Sequence, residues 1–121
     1  MSEPARREWR FYIADMIGCA EKIVAYTDGM DEARFVASGL NYDATLHNLI
    51  LLGEAATHVP EHVRDFAGDI AWRQIVGTRN RLIHGYLGIK NEVWDIIQNE
   101  IPQLLEQLQA LKNAVDENRI E

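Results

Sequence analysis

"VWDIIQNEIPQLLEQLQALKNAV", residues 93–115, decides the fold class. Its apolar residues Val93, Trp94, Ile96, Ile97, Ile101, Leu104, Leu105, Leu108, Leu111 and Val115 return every three or four positions, which gathers them on one side of a helix. Asn91 is suited to cap its start. Pro102 removes one backbone hydrogen bond near the middle, and because the apolar period continues on both sides, the spacing predicts one long kinked helix. The closing "DENRIE" is expected to fray.

The same period recurs upstream. From Arg6 to Tyr26 the apolar positions are Trp9, Ile13, Met16, Ile17, Ala20, Ile23 and Val24; from Asn41 to His58 they are Leu46, Leu49, Ile50 and Gly53, widened by Leu52, Ala55 and Ala56. Between these two helices "TDGMD" breaks the chain, Asp31 caps a short piece over Glu32 to Ala37, and Gly39 and Asn41 end it. Pro60 closes the second long helix and opens a short turn through Phe66. Asp69 is the expected N-cap of a further helix reaching His84 or Gly85, followed by the loop "GYLGIKN". No run of five or more residues alternates β-branched or aromatic with polar side chains, so no strand is predicted. The expectation is all-α: an up-and-down four-helix bundle with short extra helical turns, one domain over residues 1–121.

Composition narrows the function classes. Hydrophobic residues at 47% and charged residues at 26% suit a folded globular chain. Cys19 is the one cysteine, so no intrachain disulfide forms and a buried, inert thiol is expected in a reducing compartment. The most apolar run, "LILLGEAA", is interrupted by Glu54 far short of a membrane span, and no signal peptide opens the chain, so a cytoplasmic location is expected.

Charge is distributed unevenly. The stretch "IAWRQIVGTRNRLIHGYLGIKN", residues 70–91, holds no Asp or Glu, yet the whole chain carries -7 and would carry -11 without this stretch's four cations. A polyanion is repelled by most of such a surface and must meet one local patch, with Arg73, Arg81 and Lys90 as its RNA-binding candidates.

On a helix, Asn80 and Arg81 precede His84 by four and three residues and flank its ring, whereas Arg79 falls on the apolar side with Ile75, Leu82 and Ile83. A buried arginine needs a carboxylate or a phosphate, and Glu54, itself inside an apolar helix, is the structural candidate. Histidine exchanges protons near neutrality and arginine offers planar donors to phosphate oxygens, so this set suits phosphodiester chemistry. His47, His58 and His62 show no metal-ligand spacing, and neither a metal nor a cofactor is expected. Arg79 and His84 lie about 140° apart around an ideal helix, which a site shared across a dimer or an unwinding at Gly85 would resolve.

Arg79, His84 and Tyr86 together read as the R-x4-H-x-Y motif of the HEPN domain, and the chain resembles the HepT-like branch of that superfamily. "AWRQIVGTRNRLIHGYLGI", "LILLGEAATHVPEHV" and "VWDIIQNEIPQLLEQL" are each similar to stretches of that branch, over nearly the full length. The resemblance implies an all-helical, homodimeric, metal-independent ribonuclease acting as the toxin of a prokaryotic type VII-like toxin–antitoxin pair. It also implies that a minimal nucleotidyltransferase antitoxin uses ATP to place AMP on the motif tyrosine. By position, His84 would be the general acid/base, Arg79 the phosphate-binding group, Asn80 their hydrogen-bonding support and Tyr86 the residue silenced by AMP. The substrate would be tRNA or mRNA, cut through its 2′-hydroxyl to leave a 2′,3′-cyclic phosphate. Two other readings share these residues: a non-catalytic dimer that binds RNA or a nucleotide, and a protein whose role is to be modified by the nucleotidyltransferase.

Overall fold

The computed structural model describes residues 3–85 and 90–120, with side chains described from Trp9 onward. Among the described residues the chain is all-helical. Seven helices follow in order: α1 (Glu3–Thr27), α2 (Glu32–Ala37), α3 (Gly39–Thr57), α4 (Glu61–Phe66), α5 (Trp72–Ile83), α6 (Lys90–Asn99) and α7 (Ile101–Asp116). Helix α3 packs against α1, α2 and α5, α1 also packs against α7, and α6 packs against α7 and α2.

Helix α1 buries Trp9, Ile13, Met16, Ala20 and Ile23, whereas Val24 at its end is largely exposed. The facing stripe of α3 buries Leu49, Leu52 and Ala56, and α7 closes the core with Leu104, Leu108 and Leu111. Removing such apolar surface from water is the main force holding the bundle, at about 25 cal/mol per Å². Phe35 on α2 is fully buried and meets Tyr42 of α3 edge-on at 5.5 Å and Trp94 of α6 at 5.3 Å, so this short helix joins two long ones.

Several boundaries differ from the sequence reading. Ser38, rather than Gly39 or Asn41, separates α2 from α3: its hydroxyl accepts from the Asn41 N–H, and Asn41 Nδ2 donates to the Tyr26 carbonyl at 2.7 Å, tying the start of α3 to the end of α1. Asp31 does cap α2 through the Arg34 N–H. Asp69 does not cap α5. The helix starts two residues later behind Ala71, with no side-chain cap, and is held there by Trp72 Nε1 donating to the Ala67 carbonyl. Asn91 lies inside α6 rather than ahead of it.

Pro102 divides the final helix more sharply than expected. Helix α6 stops at Asn99 and α7 begins at Ile101, but Glu100 keeps helical dihedrals and carries hydrogen bonds across the junction, donating to Ile96 and accepting from Leu104. As far as Ile120 the tail does not fray either. Asn118 adopts φ 59, its N–H donates to the Val115 carbonyl and that of Arg119 to the Ala114 carbonyl. This helix-ending turn folds Ile120 back into the core. No helix among the described residues is long and apolar enough to cross a membrane.

Candidate functional site

Arg79 leaves α5 toward α3, where a glycine makes room for it. A Cβ at Gly53 would overlap the Arg79 side chain and stand 3.2 Å from the Ile75 carbonyl, so the two helices meet at the level of the guanidinium stem. One residue along α3, Glu54 Oε1 accepts from Arg79 Nη2 at 2.5 Å. On the other side Arg79 Nη1 donates to Asn80 Oδ1 at 2.8 Å. Arg79 Nε is buried and finds no partner among the described residues. The head group is thus fixed at two points and still 28% exposed at the side chain, open enough to meet a ligand.

Helix α5 ends about one turn after Arg79. His84 is the C-cap and Gly85 follows at φ 69, with the Gly85 N–H donating to the Leu82 carbonyl. A left-handed residue at that place stops the helix, and glycine adopts it without a Cβ penalty. The His84 side chain is exposed, with no hydrogen-bond partner among the described residues. Asn80, four residues before it, occupies the same side of α5, so the guanidinium held by Asn80 is linked to the histidine's face although Arg79 itself points elsewhere. Tyr86 lies outside the described residues.

The three further cations have different surroundings. Arg73 is exposed near the start of α5 without an ion-pair partner among the described residues. Arg81 pairs with Glu92 at 2.9 Å. Lys90 lies 5.0 Å over the Tyr42 ring, at the start of α6.

Two features around the site escape a sequence reading. His58 stacks on Tyr12 of α1 at 4.5 Å, with its Nε2 3.6 Å from Glu54 Oε2. Their four-residue spacing was the available signal. Arg64 of α4 donates from Nε to the Val59 carbonyl and from Nη2 to that of Ala56, satisfying the open end of α3, and nothing in its surroundings in the sequence marks that role. Among the described residues no group of three or more His, Cys, Asp or Glu could hold a metal ion.

Comparison with known proteins adds a family. The model described as "Ribonuclease HepT-like" matches residues 16–111, which include Glu54, Arg79, Asn80, His84 and Tyr86. The chain is 26% identical to a Thermococcus cleftensis protein named provisionally as ribonuclease HepT, over 88% of this chain and 98% of that one. It is 28% identical to a Caldanaerobacter subterraneus protein with a provisional RNase name, over 84% and 92% of the two chains. It spans only about half (52%) of a longer Methanocaldococcus jannaschii protein, 26% identical over 94% of this chain, whose name joins gamma-glutamylcyclotransferase to a provisional RNase. No solved structure matches significantly.

Proposed function

We propose that this chain, which belongs to the HepT-like ribonuclease family, is a metal-independent endoribonuclease that acts as a toxin and is held in check by a nucleotidyltransferase. The observation that carries the reading is Arg79, fixed between Glu54 and Asn80 and followed five residues later by an exposed His84. The provisional RNase names of the relatives support it.

In this mechanism His84 accepts the proton of the 2′-hydroxyl next to the scissile phosphate. The 2′-oxygen attacks phosphorus, the bond to the 5′-oxygen breaks, and the histidine returns a proton to that leaving oxygen. The products are a 2′,3′-cyclic phosphate and a 5′-hydroxyl. Arg79 donates to the phosphate oxygens as negative charge grows on them, and Asn80 and Glu54 keep its planar head from turning away. Two protomers pair, bringing two basic stretches together in an otherwise acidic molecule.

Tyr86, two residues beyond His84, is the control point. The partner enzyme joins its phenolic oxygen to the α-phosphorus of ATP, pyrophosphate leaves, and the added AMP places bulk and negative charge where RNA would enter. Total RNA incubated with the protein in EDTA tests the activity: cutting by the wild type and not by His84→Ala supports the reading, and equal cutting by both overturns it. ATP plus the partner should add AMP-sized mass on Tyr86, and an unmodified Tyr86 in the presence of an active partner rejects the regulation.

A further inference from the structure

The linings of the two grooves beside α5 carry opposite charge. Toward α4 lies an open groove of about 490 Å³ lined by Thr57, Arg64, Arg73, Val76, Gly77 and Asn80, with Trp72 at its end and no carboxylate among the described residues of its walls. Toward α6 the corresponding groove takes in Arg81 but also Glu92, Asp95 and Glu100.

At about 100° per residue, Arg73, Gly77, Asn80 and His84 fall within about 60° of one another around α5, so they form one stripe along the helix. The acid-free groove follows that stripe away from His84. Arg73 stands at its far end, seven residues or roughly 10 Å from Asn80. Gly77 forms part of its floor. A Cβ there would meet nothing within 4 Å among the described residues, so their packing does not call for a glycine at a mid-helix position that disfavours one. A bare backbone there lets a ligand approach the helix closely. Arg64 adds positive charge, although two of its nitrogens are engaged with the end of α3.

We infer that this groove is the track for the RNA strand: a single strand lies along α5 from His84 toward Arg73, with the phosphate next to the scissile one over Gly77 and its neighbour on Arg73. The inference rests on the ribonuclease reading and deepens it. It gives the strand a side: the groove toward α4, away from Glu92, Asp95 and Glu100, which line the other groove and would repel it. Arg81, paired with Glu92, then contributes little to binding.

The test is binding, not cutting. His84→Ala protein is titrated with a fluorescent single-stranded oligoribonucleotide over a series of salt concentrations, alone and with Arg73→Ala, Gly77→Leu, Arg81→Ala or Lys112→Ala added. Gly77→Leu fills the groove while suiting a helix, and circular dichroism verifies that each variant folds. Arg73→Ala should weaken binding and lower the slope of log Kd against log salt by about 0.7, the value for one lost phosphate contact on a single strand. Gly77→Leu should weaken binding as much with a smaller change of slope, and Lys112→Ala, on α7, should match the parent.

Unchanged binding by Arg73→Ala and Gly77→Leu overturns the track while leaving the cutting reaction standing. A larger loss at Arg81→Ala places the strand on the α6 flank and overturns it too. A changed oligomeric mass with unchanged RNA affinity assigns the groove to a second copy of the chain. A parent that binds no RNA at all rejects the track and the ribonuclease reading together.

Discussion

Gly53 of α3 and Arg79 of α5 touch so closely that the glycine has no room for a Cβ. The contact sets how far α5 stands from α3 and therefore where the guanidinium meets Glu54. Gly53→Ala is expected to push α5 outward, because the atoms in the way are the stem of Arg79 and the Ile75 carbonyl rather than a flexible tip. Overpacking of this kind costs about 1–3 kcal/mol. Urea unfolding should show that loss, with RNA cutting reduced in the fraction that remains folded.

Glu54 and Arg79 separate stability from activity. Both side chains keep contact with solvent, at 47% and 28% exposure, so their ion pair contributes less than about 1 kcal/mol to folding. Glu54→Gln should leave the unfolding midpoint nearly unchanged and lower kcat for RNA more than it alters KM. Arg79→Ala removes the donor itself, and its rate should fall by roughly 10²–10³. Arg79→Lys should recover little, since a point charge cannot bridge Glu54 and Asn80 as a planar group does.

Glu100 predicts a pH effect on stability. It stands at the junction of α6 and α7 beside a cavity of about 220 Å³ between α5 and α7, and partial burial of this largely exposed side chain pushes its carboxyl above the ordinary value of 4.5, an effect partly offset by the nearby Arg81 charge. A carboxyl whose folded value is raised favours the folded state when protonated. That contribution is complete below the unfolded value and is lost as pH rises through the folded one. Glu100→Gln should therefore be more stable than the wild type at neutral pH, with the difference vanishing below about pH 4 in urea titrations.

Cys19 should be unreactive in the folded protein. It is buried on α1, and burial, together with the charge of Asp15, raises its thiol and disfavours the nucleophilic thiolate. Alkylation with iodoacetamide at neutral pH should be slow until denaturant is added. Labelling as fast in native buffer as in urea would contradict this packing.

Helix faces were legible because burial obeys a period: Trp9, Ile13, Leu49, Leu52, Leu104 and Leu108 announce their sides by spacing alone. Helix ends were less so. Asp69 offered a good cap but was passed over because Trp72 anchors α5 to the Ala67 carbonyl five residues earlier, a side-chain-to-backbone bond that apolar periodicity does not record. At the other terminus, Ile120 is buried by a left-handed Asn118, a conformation that a polar tail does not advertise. Within the candidate site, Arg79 and Glu54 could be matched because each is a charge inside an apolar helix. The pairing of Arg81 with Glu92 and the seat of Lys90 over the Tyr42 ring were invisible, since a cation's partner across the bundle depends on which helices become neighbours.

The central claim is that Arg79 and His84 cut RNA through its own 2′-hydroxyl, and the chemistry of the cut ends tests it most directly. A defined RNA is digested by the wild type and by His84→Ala in EDTA, beside the same RNA carrying a single 2′-deoxy substitution at the cleaved position. The prediction is 2′,3′-cyclic phosphate and 5′-hydroxyl ends from the wild type, a rate lower by roughly 10²–10⁴ for His84→Ala, and no cutting at the deoxy position. Ends bearing a 3′-hydroxyl and 5′-phosphate, or cutting that persists at the deoxy position, would contradict the account.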